Sequence, residues 1–334
     1  MDIYESCKKG TVNDLKSLDL KDSDVLFAAF YGAVDGEQSN IIDFLISSYS
    51  DWEGILITAL DEGRMKAVKL IMGKRLLPLN KCFRFACLHG KPRFVRMMLC
   101  SYNISKTTLD EGLMAACQEG FSKLVQLLIA RGAKSWDDAM LSACDGNHIK
   151  IIKKMIARGA EDFDGGLFAA CKGGYSELIE FFLARGADDW NYALCGACEG
   201  GQLEIAKTMM LNGANNFNNG LDAACGGGKI IMARFMIING ATDFNKGLRS
   251  ACKFKKLDCI ILMLRMGAFN HGALKTYNIS SESLVEHGLE LQLLEKIDND
   301  FHRKISTFRN SVKETLNDTL IDDLKNVVSL YSIV

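Results

Sequence analysis

The sequence has little that would place it in a membrane or on a nucleic acid. No apolar run approaches the roughly 20 residues of a membrane span, and residues 1–5 lack the basic start of a secretory signal. The formal net charge is −1, which gives no electrostatic reason to approach DNA, RNA or an anionic bilayer. Only two prolines occur, Pro78 and Pro92, so long helices are permitted. We therefore expect a cytoplasmic protein with no membrane or nucleic-acid partner.

Groups of residues that could perform chemistry together are also scarce. The five histidines are scattered and do not pair at helical spacing. Cys195 and Cys198 form a C-x-x-C pair, which is typical of redox or zinc sites, but no second pair completes a ligand set. Residues 226–229 resemble part of a phosphate-binding loop, yet Ile230 stands where that loop needs serine or threonine. We expect no catalytic residue, no metal and no cofactor.

One pattern recurs six times between residues 113 and 268. A cysteine, a Gly-Ala pair and an aromatic residue each return every 27 residues. A fixed period of this length predicts a stack of small units, each completing the core of its neighbour. The ladder cysteines are Cys117, Cys144, Cys171, Cys198, Cys225 and Cys252, the pairs begin at Gly132, Gly159, Gly186, Gly213, Gly240 and Gly267, and the aromatic residues are Trp136, Phe163, Trp190, Phe217 and Phe244.

Each unit is predicted to be a pair of helices. A short first helix of small residues ends near the ladder cysteine, a glycine-rich corner follows, and an amphipathic second helix runs to the Gly-Ala pair. A polar linker then leads to the aromatic residue. The residue after that aromatic is always Asp or Asn, and we expect it to cap the next short helix. These positions are Asp137, Asp164, Asn191, Asn218 and Asn245.

This pattern resembles the ankyrin repeat. Residues 193–198, Ala-Leu-Cys-Gly-Ala-Cys, stand where that family has Pro-Leu-His-x-Ala-Ala, and residues 211–214, Leu-Asn-Gly-Ala, resemble its Leu-x-x-Gly-Ala. The family unit has about 33 residues, whereas these units have 27. The missing residues fall where the family makes a β-hairpin, so we expect short loops. Such compact units resemble the ankyrin arrays of large DNA viruses of protists, which would imply a viral protein that meets its host.

Twelve cysteines do not indicate disulfides here. Packed helices lie roughly 8–10 Å apart, so equivalent cysteines of adjacent units are too distant for a bond that needs Cα atoms within about 7 Å. Buried free cysteine behaves as a small hydrophobe. We therefore expect a reducing compartment, the cytoplasm or the nucleus (of a host, if the protein is viral).

The units are not equally regular along the chain. Residues 1–110 are predicted to hold four degenerate repeats with corners at Gly10, Gly32, Gly63 and Gly90, and an insertion follows Gly32. Residues 111–270 hold the six regular repeats. Past Ala268 the signature stops, and residues 271–334 read as a helical cap or tail with helices at 283–297, 300–315 and 318–329. The predicted fold is all-α: an α-solenoid of about ten ankyrin-like repeats with shortened loops and a C-terminal helical cap.

The resemblance implies a non-enzymatic scaffold that binds a partner protein along the concave repeat face, and we expect it to be a monomer. An adaptor that recruits host machinery, such as a ubiquitin ligase, through the C-terminal helices is the alternative, and a cysteine-based metal or redox protein is a weaker one. The aromatic residues read as packing or as a recognition stripe. The corner and linker residues that vary between repeats are the candidate contacts: Gln118, Glu119, Asp145, Lys172, Glu199, Lys253, Phe254, Lys134, Asp162, Asp188, Asp189, Asn215, Asn216 and Asp243.

Overall fold

The computed structural model describes residues 2–10, 22–49, 52–74, 76–268, 271–280 and 284. Every regular element in these ranges is an α-helix, which confirms the predicted all-α class. Contacts between Cα atoms divide the chain into two compact units, Met1–Asp162 and Phe163–Val334. Each unit is a series of helix pairs, and we call the members of a pair its first and second helix.

The first unit contains eleven of the described helices. The helices are α1 (Ile3–Lys9), α2 (Ser23–Asp35), α3 (Ser39–Ser48), α4 (Trp52–Asp61), α5 (Met65–Gly73), α6 (Leu79–Leu88), α7 (Pro92–Ser101), α8 (Lys106–Gln118), α9 (Ser122–Ala130), α10 (Trp136–Asp145) and α11 (Ile149–Ile156). The first helices α4, α6, α8 and α10 pack against one another in sequence order, as α1 does against α2, and the second helices α3, α5, α7, α9 and α11 each pack on the first helix of their own pair.

The second unit repeats the same arrangement with nine described helices. Its first helices α12, α14, α16, α18 and α20 contact one another in sequence order. The helices are α12 (Phe163–Gly173), α13 (Ser176–Leu183), α14 (Trp190–Gly200), α15 (Leu203–Leu211), α16 (Phe217–Gly226), α17 (Ile230–Ile238), α18 (Phe244–Lys253), α19 (Leu257–Arg265) and α20 (His271–Thr276).

The corner between the two helices of a pair has one backbone geometry throughout. The residue three positions after the ladder residue has a positive φ, and its N–H donates to the ladder carbonyl. At every corner after the first, the next N–H donates to the carbonyl just before the ladder residue, so both of these carbonyls at the helix end are satisfied. The positive-φ positions are Gly10, Glu37, Gly63, Gly90, Gly120, Asn147, Gly174, Gly201, Gly228, Lys255 and Asn278.

This geometry corrects the predicted register of the second repeat. Gly32 does not form a corner because it lies inside α2, where an added Cβ would be 2.2 Å from the carbonyl oxygen of Tyr4. The corner is at Glu37, which has a φ of 56°. The ladder residue is therefore Val34, 27 positions after Cys7. There is no insertion, and valine simply replaces cysteine.

The array also continues one step beyond its recognisable sequence. After α20, the amide of Asn278 donates to the carbonyl of Lys275, and the amide of Ile279 donates to that of Leu274. This is the corner geometry with lysine at the ladder position, so one more corner follows the point where the sequence signature stops. The three helices predicted from residue 283 onward lie outside the described residues, apart from Leu284, and so does the second helix that the repeat pattern predicts within residues 11–21.

The ladder cysteines form the contact between successive first helices. Cys198 and Cys225 each sit against a glycine five positions before the next ladder cysteine in the sequence. A Cβ on Gly220 would be 3.2 Å from the Sγ of Cys198, and one on Gly247 would be 3.2 Å from that of Cys225. All six ladder cysteines are fully buried. Cysteine recurs because its side chain is apolar and small enough for two helices to approach this closely.

Candidate functional site

The corners of neighbouring repeats touch through their backbones. A Cβ on Gly200 would lie 2.0 Å from the carbonyl oxygen of Lys172, and one on Gly227 would lie 2.2 Å from that of Glu199. These glycines have ordinary helical or near-helical conformations, so they are required by the close approach and not by a special φ. Within each unit the corners therefore form a closely packed strip, which we call the corner strip.

The predicted corner candidates lie on this strip but are not equally available. Gln118, Glu119 and Asp145 are exposed. Lys172 and Glu199 belong to adjacent corners and pair with each other, with 2.8 Å between Nζ and Oε1. A half-exposed ion pair of this kind contributes roughly 0–1 kcal/mol. Its main effect is to fix two candidate side chains in one arrangement.

The linker candidates have structural roles that the sequence did not reveal. Asp189, Asn216 and Asp243 are the N-caps of α14, α16 and α18. Each side-chain oxygen accepts the backbone N–H three residues ahead, at 2.9–3.2 Å. These side chains therefore satisfy helix ends, which lowers their value as contact residues.

At four of its five positions (137, 164, 191 and 218), the Asp or Asn after the aromatic residue makes a different contact from the expected cap of its own helix. Its Oδ1 instead accepts two consecutive backbone N–H groups in the linker of the following repeat, at 2.6–3.2 Å. We call this contact the linker tie. The acceptors are Asp110, Asp137, Asp164, Asn191 and Asn218, and the amides belong to residues 134–135, 161–162, 188–189, 215–216 and 242–243.

The linker tie fixes the backbone on which the remaining candidates stand. Lys134, Asp162, Asp188 and Asn215 have exposed side chains, but their amides are held by the preceding repeat. Short, tied loops replace the hairpins of the longer family repeat, as the 27-residue step predicted. Asp110 was missed as a tie residue, although its place one step of 27 before Asp137 identifies it.

Aromatic residues contribute in two ways. The recurring residues Trp136, Phe163, Trp190, Phe217 and Phe244 are all half-buried at the starts of first helices, where they both pack and show an edge to solvent. A second aromatic contact was not predicted: Phe168 of α12 and Tyr192 of α14 stack with ring centroids 4.5 Å apart. Tyr192 is 44% exposed, so this pair is an apolar spot on the surface of the first helices.

The cysteines are poor candidates for chemistry. Burial raises the pKa of Cys198 to about 12 and that of Cys195 to about 11, so neither thiolate forms readily at neutral pH. In the described ranges, no three His, Cys, Asp or Glu side chains come together as metal ligands. All twelve cysteines are free. Cys225 and Cys259, which are not equivalent positions, share a thiol hydrogen bond that raises the pKa of Cys225.

One small surface pocket lies in the second unit. This pocket of about 110 Å³ lies between α17 and α19, lined by Ile230, Arg234, Asp258, Ile261, Leu262 and Arg265. Its volume is below the roughly 300–1,000 Å³ of typical small-molecule sites.

Among the described helices, none has the length and apolar character that crossing a bilayer requires.

Comparison with known proteins adds little beyond the fold. No protein-family profile and no curated protein match the sequence. Among solved structures, the ankyrin repeat domain of human ASB11 matches with 21% identity over 52% of this chain and 94% of that chain, with a TM-score of 0.32. A likeness at this TM-score carries no argument about function. The assignment to an ankyrin-like repeat fold rests on the paired helices, the corners and the period described above.

Proposed function

We propose that this protein is a non-enzymatic scaffold that binds a partner protein along the corner strip and the adjoining surface of the first helices. The supporting observation is that, within each compact unit, the strip has the same corner geometry at every step but different side chains. The ladder and linker-tie positions are nearly uniform, while Glu119, Asp145, Lys172, Glu199 and Lys253 differ in sign. A fixed backbone with variable side chains suits specific recognition of another macromolecule.

The strip, rather than the linkers, is proposed as the main contact surface. Three of the linker candidates cap helices, and the linker amides are already bonded. If a partner covered the linkers, it would have to contact side chains that the fold already uses to cap helices. The Phe168–Tyr192 stack next to the strip offers an aromatic anchor, a residue type enriched at protein interfaces.

The test reverses charges on the strip without breaking its internal ion pair. In one variant, Glu119→Lys and Asp145→Lys are combined with the exchange Lys172→Glu and Glu199→Lys, which keeps the Lys172–Glu199 pair with its partners swapped. The control, Glu177→Lys with Glu180→Lys, makes the same net charge change on the exposed side of α13. Partners of the wild-type chain are purified from cells of its source and identified by mass spectrometry.

The expected result is that the strip variant loses its partner while the control retains it. If both variants capture the same partner with unchanged affinity, the corner strip is not the binding surface. Loss of helical circular dichroism in the strip variant would show unfolding, so the comparison is made only between variants whose thermal unfolding matches that of the wild type.

The adaptor alternative places a second interaction in residues 271–334, most of which lie outside the described residues. It stays a prediction from the sequence, together with the monomeric state, the cytoplasmic or nuclear location and the viral origin. Deleting residues 285–334 tests it: loss of a second partner while the first still binds would support an adaptor, whereas melting of the repeats would support a cap.

A further inference from the structure

The last two regular corners differ from all the others in composition. Residues 226–228 are three consecutive glycines, so one corner presents no side chains. The following corner has Lys253, Phe254, Lys255 and Lys256, all of them exposed. Phe254 is 52% exposed, which is high for a phenylalanine. Together with Lys229, which is also exposed, these four residues form what we call the basic corner.

The glycines bring the basic corner close to the backbone of its neighbour. A Cβ on Gly228 would be 2.9 Å from the Cδ of Lys256, and one on Gly226 would be 3.5 Å from the Phe254 ring. The Nζ of Lys253 lies 5.2 Å from the centre of the same ring. One cation thus lies over the Phe254 ring, beside a corner whose glycines carry no side chains.

The lysines of this surface make no ion pair within the described part of the protein. No carboxylate in those ranges forms an ion pair with Lys229, Lys253, Lys255 or Lys256. The acids on the neighbouring first helices are already engaged: Glu199 pairs with Lys172, and Asp222 lies 3.8 Å from Lys246.

The tip of this corner is also unusual among the regular repeats. Lys255 has a φ of 54°, at a position where the other regular repeats have glycine or asparagine. A left-handed conformation is costly for a residue with a long side chain. The corner geometry itself imposes this φ, since Glu37 has a φ of 56° at the equivalent position of the second repeat. The charge of Lys255 is therefore what distinguishes this corner.

We propose that the basic corner binds an acidic protein segment that also carries an apolar side chain. The carboxylates would pair with Lys253, Lys255 and Lys256, and the apolar side chain would cover the exposed face of Phe254. This inference rests on the proposed scaffold function and specifies the chemistry of the partner. A nucleic acid is a poorer fit because the chain has a net charge of −1 and the four lysines are confined to one corner strip segment.

The first experiment measures binding of a short fluorescent peptide of alternating glutamate and leucine to the full chain by anisotropy. The double variant Lys253→Glu with Lys256→Glu is compared with Lys123→Glu and Lys150→Glu, an equal charge change on exposed positions of α9 and α11. Two lost attractions replaced by two repulsions should weaken binding about tenfold, with no change in the control. Binding should also weaken as salt is raised.

The second variant separates function from folding. Lys255→Gly relieves the strained backbone, so its thermal midpoint should rise by about 2–4 °C, yet its affinity for the peptide should fall about threefold because one cation is lost. Phe254→Ala should weaken binding of the glutamate–leucine peptide more than binding of an all-glutamate peptide, since only the leucine side chains cover the ring. A purely structural corner would show the stability change without the loss of affinity.

Three outcomes would overturn the proposal. They are equal binding by the basic-corner and control variants, binding of a glutamine–leucine peptide as tightly as the glutamate one, and tighter binding of single-stranded RNA than of the acidic peptide. The scaffold proposal has a separate readout, because its partner is captured through Glu119, Asp145, Lys172 and Glu199. If that partner is lost by strip reversal while the acidic peptide fails to bind, only the inference about the basic corner is wrong.

Discussion

Removing one linker tie should destabilise the contact between two repeats without disturbing either helix pair. In Asp137→Ala, the amides of Glu161 and Asp162 lose acceptors that lie 2.7 and 3.0 Å away. A hydrogen bond contributes about 0.5–1.5 kcal/mol net, and more when the acceptor is charged. Because Asp137 is exposed and water can replace it, the two bonds together should contribute about 1–2 kcal/mol.

The neighbouring residue provides a matched control. Asp138 is also an exposed acid in the first turn of α10, so Asp138→Ala removes the same favourable interaction with the helix N-terminus. Among the described residues, no linker amide donates to the side chain of Asp138, and its backbone carbonyl accepts from the hydroxyl of Ser142. The difference between the two variants therefore isolates the tie. Asp137→Asn should behave nearly as wild type, since Asn191 and Asn218 make the same contact in other repeats.

Amide hydrogen exchange is the suitable assay because a repeat array need not unfold in one step. In Asp137→Ala the amides of residues 161 and 162 should exchange about tenfold faster than in Asp138→Ala, as a loss of about 1.4 kcal/mol predicts. Amides inside α10 and α11 should be unchanged. Equal exchange at residues 161 and 162 in the two variants would refute the view that the tie holds the linker.

Two further predictions follow from packing and burial. Gly200→Ala would place a Cβ 2.0 Å from the carbonyl oxygen of Lys172, so it should destabilise the fold by about 2–3 kcal/mol in urea unfolding. In the same assay Gly54→Ala, whose Cβ would meet no neighbouring atom within 4 Å, should be neutral or stabilise the fold by about 0.5–1 kcal/mol. Burial raises the pKa of the Cys171 thiol from 9.0 to about 12, so between these values the thiol is protonated in the folded chain and ionised in the unfolded chain. The contribution of this buried thiol to stability is therefore complete below pH 9 and declines as pH rises toward 12. Cys171→Ala should therefore be less stable at pH 7 but lose less stability between pH 9 and 11, and an unchanged slope would contradict the burial argument.

The sequence predicted the parts of the fold that depend on local chemistry. The ladder cysteines, the glycine corners and the apolar second helices repeat because each unit solves the same packing problem, so a constant period revealed them. Val34 and Lys275 escaped because they occupy ladder positions without cysteine, and their corners use Glu37 and Asn278 in place of glycine. Their backbone bonds are unchanged, since a corner needs a positive φ more than it needs a particular residue.

The candidate site was harder to predict because its important contacts join different repeats. The sequence showed that Asp or Asn recurs at position 137 and its equivalents. It did not show that the side chain of this residue accepts from linker amides 24 and 25 residues ahead. The pairing of Lys172 with Glu199 likewise depends on adjacent corners touching. Lys253 and Phe254 were identified by their variability, whereas the strain at Lys255 is a property of the backbone alone.

The linker tie has a consequence for how such a protein can change in length. Every tie points forward, from one repeat to the linker of the next repeat. Each 27-residue block therefore contains one acceptor and one pair of amides. If a block beginning at Asp164 were deleted or duplicated in frame, each remaining acceptor would still meet a complete linker. Unequal recombination could therefore add or remove whole 27-residue blocks, and the encoded chain would still form a linker tie at every repeat.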